Sequence, residues 1–116
     1  MIAVIFEVKP KCTEKDHYLK IASGLKMLLE NQDGFISIER FQSLTREGKI
    51  LSLSFWRDEA SITKWRNMIE HRTGQKNGKE HLFESYRIRV AKVVRDYTES
   101  DRDEAPSDCT TGVDPC

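Results

Sequence analysis

The run Ile2–Val8 is apolar on both of its faces, and this limits what the chain can fold into more than any other feature. Ile2, Val4, Phe6 and Val8 alternate with Ala3 and Ile5. A strand with apolar groups on both sides has to be covered on both sides. Pro10 ends the run by removing a backbone donor. The period then changes. Tyr18, Ile21, Leu25, Leu28 and Leu29 recur at helical spacing as far as Glu30, opposite Lys20 and Lys26. Thr13 is the expected N-cap of this helix, with Asp16 three residues on, and Asn31-Gln32-Asp33-Gly34 closes it.

Alternation returns over Phe35–Leu44, with Phe35, Ser37, Glu39 and Phe41 on one face and Ile36, Ile38, Arg40 and Gln42 on the other. The polar turn Thr45-Arg46-Glu47-Gly48 joins it to the β-rich run Ile50–Trp56, which makes a hairpin. Asp58 suits the cap of a second helix lined by Ile62, Trp65 and Ile69. Residues 72–79 hold no apolar anchor and read as a loop or broken helix bending at Gly74 and Gly78, with a short turn at His81-Leu82-Phe83. Glu84–Arg95 is the last strand, with Tyr86, Ile88, Val90 and Val94 opposite Ala91 and Val93. After Tyr97 the chain is acidic and nearly free of apolar groups, so it cannot offset its own ordering entropy. The expected division is a folded domain over residues 1–97 and a disordered acidic tail over 98–116.

The element order is β-α-β-β-α-β. Right-handed crossovers place the first strand centrally, in the spatial order 4-1-3-2, with both helices on one face of an antiparallel sheet. This is an α+β, ferredoxin-like arrangement. A chain of 116 residues makes one such domain, and a domain of this size buries only about 60–70% of its unfolded surface. Its second sheet face is apolar too. A homodimer with the two sheets face to face covers it.

Composition narrows the function classes. Lys+Arg and Asp+Glu both number 19, giving zero net charge. Such a balance offers little counterion release to nucleic acid, so no nucleic-acid partner is expected. The N-terminus has no cationic region before its short apolar run, and nothing approaches the ~18 apolar residues of a membrane span. Cys12, Cys109 and Cys116 are odd in number and irregular in spacing, which is no disulfide framework. A cytoplasmic protein with reduced thiols is the expectation. His17, His71 and His81 have no metal-ligand spacing, and no phosphate loop, dinucleotide fingerprint or nucleophile elbow is present.

Glu7, Glu39, Arg40, Arg87 and Arg89 stand on strands, in or beside faces that should be covered. Charges there need partners. Ion pairs near strand ends or a dimer seam are one account. An arginine that orients an acidic substrate is the other, and the sequence leaves both open.

The stretch from Gly34 to Tyr97 resembles the antibiotic biosynthesis monooxygenase superfamily. The resemblance rests on Asp33-Gly34-Phe35 opening the second strand, Trp56 closing the third, Trp65 inside the second helix, then His71, Gln75 and Gly78, and a last strand with Tyr86, Ile88 and Val90. As a whole pattern it covers roughly residues 1–97. It implies a dimeric α/β barrel of ferredoxin-like protomers, each with a pocket between sheet and helices. It also implies oxidation of small aromatic or quinol-type compounds by dioxygen, with neither metal nor flavin.

Some relatives bind and degrade haem, using an Asn on strand one that this chain replaces with Phe6 or Glu7. His71 follows Trp65 by six residues, about 120° around a continuous helix, which is too close for those relatives' haem ligand. No cofactor is therefore expected, and haem is disfavoured. Other relatives have no established activity, so a non-catalytic dimeric ligand-binding module is a further alternative. Under the resemblance, His71 is a candidate base and Trp65 an aromatic platform, each with a structural alternative: a loop-ordering histidine and a core tryptophan. Tyr86, Arg87 and Arg89 are the pocket candidates, and Trp56 reads as structural.

Overall fold

The computed structural model describes residues 1–73 and 82–107, the side chains of 70–73 excepted. Its elements are β1 (Ile2–Pro10), α1 (Lys15–Glu30), β2 (Phe35–Gln42), β3 (Ile50–Trp56), α2 (Glu59–Thr73) and β4 (Phe83–Lys92). The four strands form one antiparallel sheet in the order β2-β3-β1-β4, the order expected from the crossovers. The chain is α+β and ferredoxin-like.

Three boundaries differ from the sequence reading. Thr13 does not cap α1. Cys12–Glu14 form a 3₁₀ turn, α1 begins at Lys15, and Glu14 before it supplies no side-chain cap. The cause lies in β1. Lys11 is still tied to the sheet end by its N–H to the Leu82 carbonyl at 2.9 Å, and its own carbonyl accepts the Glu14 N–H at 2.8 Å, which tightens the first turn. Phe83 is not in a turn but already in β4, paired with Pro10 across a register shift. β4 ends at Lys92, after which the Val93 N–H bonds to the Met1 carbonyl.

A β-bulge between Phe35 and Ser37 changes the face of one side chain. Strict alternation groups Phe35 with Ser37 and Glu39. In the fold Phe35 lies directly opposite Trp56, their ring centroids 5.4 Å apart and edge to face.

Asp58 does cap α2: its Oδ1 accepts the Ser61 N–H at 2.8 Å and the Ser61 hydroxyl at 2.7 Å. Arg57 beside it donates to both oxygens of Asp33, at 3.1 and 3.0 Å, and through Nε to Asp58 at 3.0 Å. Gly34 sits in this knot with φ +84°, and a Cβ there would overlap the Ser61 side chain. The Asp-Gly-Phe signature therefore ties the start of β2 to the end of β3 and the start of α2.

The register sorts the sheet into two faces. Val4, Phe6 and Val8, with Ile38, Arg40, Ile50, Ser52, Ser54, Trp56 and Ile88, share the helix side. Ala3, Ile5, Phe41, Leu51, Leu53 and Phe55 share the other with Glu7, Arg87 and Arg89. Among the described residues no helix is long and apolar enough to cross a membrane.

Candidate active site

A half-open cavity of about 300 Å³ lies between the sheet and the helices. Its cause is legible in side-chain size. On the helix side β3 presents Ser52 and Ser54, and α1 presents Ala22 at the middle of its apolar stripe. Small groups stand where larger apolar ones would meet, so the three elements do not close on one another.

Two aromatic groups bound the space. Trp56, only 2% exposed, carries Phe35 on one side and Trp65 of α2 on the other, the two indoles 6.3 Å apart and tilted by 39°. The Trp56 Nε1–H is satisfied by Ser54 Oγ at 3.0 Å. On the β4 side Phe83 packs edge to face against Tyr18 at 5.5 Å and Phe6 at 6.0 Å. Val8, Tyr18 and Ile50 form the closed core next to this group.

Polar groups in the described lining are few: Arg40, Tyr18, Ser52 and Ser54. Arg40 reaches in from β2, opposite Ser52 of β3, which is itself opposite Phe6 of β1. Burial pushes the Tyr18 phenol above its ordinary value, while the adjacent Arg40 guanidinium pulls the other way. The net direction is upward, so Tyr18 is a protonated donor at neutral pH.

Trp65 lines the cavity, and so does Trp56, which the sequence reading held to be structural. His71 stands on α2, but its side chain lies outside the described residues, as do Gln75, Gly78 and His81. Arg87 and Arg89 are on the opposite sheet face, where Arg89 pairs with Glu7 at 3.4 Å. Tyr86 packs against Phe6 at 5.9 Å and borders, with Arg87, a separate polar cleft at the sheet end. Arg87 and Arg89 are thus not gathered with Trp65, whereas Tyr86 stands on the helix side against Phe6 and Phe83, which line the cavity.

Sequence reading placed Tyr18 only in a helical apolar stripe and passed over the serines of β3. Their signal was available, since Ser52 and Ser54 share strand parity with Trp56.

Haem requires an axial ligand. The described lining offers no His, Cys or Met, and Tyr18, its one phenol, is edge-packed on Phe83. The side chain of His71, the histidine weighed as a haem ligand, lies outside the described residues. Among the described residues no three His, Cys, Asp or Glu side chains gather to hold a metal ion.

Comparison with known proteins agrees with the fold. The family model of antibiotic biosynthesis monooxygenase matches residues 1–77. The chain is similar to jasmonate monooxygenase ABM of Pyricularia oryzae, 48% identical over 94 residues, which are 81% of this chain and 44% of that protein. It therefore spans less than half the length of that relative. An uncharacterized protein of Bacillus subtilis, YqjZ, is 32% identical over 93 residues, covering 80% of this chain and 79% of its own. The solved structure of Rv0793 from Mycobacterium tuberculosis superposes with a TM-score of 0.72 at 14% identity, covering 84% of this chain and 98% of that one. The chain belongs to the antibiotic biosynthesis monooxygenase family.

Proposed function

We propose that this chain is a monooxygenase that oxidises a small, largely apolar compound with dioxygen, without a bound cofactor, in the cavity between sheet and helices. The observation that carries this reading is the cavity itself. It measures about 300 Å³, is walled by both tryptophans and by aliphatic side chains, and holds a few hydroxyls and one arginine. That is a small-molecule site in size and lining. Its flat walls suit a ring, which supports the aromatic or quinol class of substrate. The Pyricularia relative's name adds jasmonate as a second candidate.

The chemistry needs an electron-rich substrate anion, formed when a base removes a proton. Tyr18 keeps its own proton and cannot be that base. His71 is proposed for the role, its ordinary pKa lying near neutrality. The anion then gives electrons to dioxygen, a C–O bond forms, and the resulting hydroperoxide loses water. One oxygen atom stays in the product and the other leaves in water. The chain is further proposed to pair with itself through the sheet face away from the helices.

Oxygen consumption over a panel of quinols, dihydroxynaphthalenes and jasmonate tests the activity. The expected result is uptake with at least one class, slowed about 10²–10⁴-fold in His71→Ala. A flat trace across the panel, with wild type no different from His71→Ala, would overturn it. Haem titration should leave the Soret band unshifted; a stoichiometric shift would favour the haem-binding alternative.

A further inference from the structure

We propose that the cavity takes an organic anion, with an apolar body against Trp56 and Trp65 and a carboxylate seated on Arg40. The inference rests on reading the cavity as the ligand site and adds the chemical class of what enters it. Arg40 is the one ionic side chain in the described lining, and no described carboxylate faces it there. Its Nε is buried and has no hydrogen-bond partner among the described residues. A cation held in apolar surroundings with an unmet donor costs stability unless something supplies an acceptor and a counter-charge. A ligand carboxylate supplies both.

The neighbours of Arg40 point the same way. Ser52 flanks it in the strand register, and the Tyr18 oxygen accepts a hydrogen bond from its guanidinium, which leaves the phenolic O–H to donate. The Ser54 oxygen already accepts from Trp56, so its own O–H is left to donate. The polar set is thus rich in donors and poor in acceptors, the complement of a carboxylate. An arginine serves this better than a lysine, because its planar guanidinium presents two N–H groups side by side to two oxygens. A single fixed positive charge also fits a monoanion rather than a phosphate.

The chain has two tryptophans, and both line the cavity, so intrinsic fluorescence reads its occupancy directly. The test titrates cyclohexylacetate and its uncharged methyl ester into the wild-type protein. The acid should bind about 30-fold tighter than the ester or better, and Arg40→Gln should erase that difference. Arg40→Lys, which keeps the charge but not the planar pair of donors, should fall between. Ligand-free Arg40→Gln should melt no lower than wild type, because it removes a cation that has the neutral Tyr18 phenol but no described counter-charge beside it. Equal binding of acid and ester by the wild type, or no quenching by either, overturns the proposal. So does an Arg40→Gln protein that melts lower while still preferring the acid, which would show an arginine paired within the chain. The assay involves no turnover. Tight acid binding without oxygen uptake would remove the monooxygenase reading and keep this one, whereas turnover with no acid preference would do the reverse.

Discussion

Arg57 grips Asp33 through both carboxylate oxygens and Asp58 through Nε, so one side chain fixes where β2 starts and where α2 starts. Asp58 answers with its cap on Ser61. The Ser61 hydroxyl, the Ser61 backbone N–H and Arg57 together pull the Asp58 carboxyl from 3.8 to about 2. The sign follows from linkage. A carboxyl lowered in the fold adds stability that is fully present above its ordinary value and is lost as pH falls through the folded one. Melting temperature should therefore drop between about pH 4 and pH 2 in wild type. Asp58→Asn, which can still cap but pairs poorly with Arg57, should melt lower at neutral pH and show a shallower fall over that window. Asp33, itself lowered chiefly by its hydrogen bond from Arg57, keeps part of the slope. Thermal melts of both proteins at several pH values check this, and parallel curves would argue against it. The cap was readable from Asp58 standing before a periodic run. Its bond to Asp33 was not, because 24 positions separate the two partners of the Arg57–Asp33 pair and only the fold brings them together.

The β3 strand carries a division of labour that its sequence states openly. ILSLSFW turns Ser52, Ser54 and Trp56 toward the helices and Leu51, Leu53 and Phe55 away from them. An ordinary helix-covered sheet would send the large groups inward. Filling the inner face should thus act on binding and stability in opposite directions. Ser52→Val adds apolar volume beside Arg40 and a better strand former, so the ligand-free protein should gain about 0.5–2 kcal/mol. The same change should cut ligand quenching of the tryptophans at least tenfold. Denaturant melts and fluorescence titrations measure the two quantities, and a loss of stability would show that the site is already packed. At this scale alternation found every strand, and helical spacing found both helices. It misplaced Phe35, because a bulge breaks parity without leaving a mark in hydrophobicity. It also placed Arg87 and Arg89 beside a pocket that only the pairing with β1 could locate, and the register sets them on the other face.

The side of the sheet away from the helices carries Ala3, Ile5, Leu51, Leu53 and Phe55 side by side, with Phe41 at 42% exposure beyond them. One charge on it is already paired: Glu7 lies 3.4 Å from both Lys49 and Arg89, and although desolvation raises its carboxyl, these two cations together hold it below the ordinary range. A largely apolar face of this kind can pair with its own copy provided that Glu39 and Arg87, which also stand on it, meet opposite charge across the seam. A stable pair of this kind would bury at least about 1,200 Å² in total. Light scattering should then give twice the 13.5 kDa chain mass. Leu53→Asp places an unmatched carboxylate in the middle of the seam and should yield a monomer of reduced stability. Leu44→Asp, at a fully exposed position on the β2–β3 hairpin, should leave the dimer intact. A wild-type monomer would refute the pairing and leave the outward leucines of β3 without a purpose. A dimer that resists Leu53→Asp would move the seam to another surface. The same strand that leaves room for a ligand on its inner face would, in the expected outcome, supply the contact that holds two such sites together.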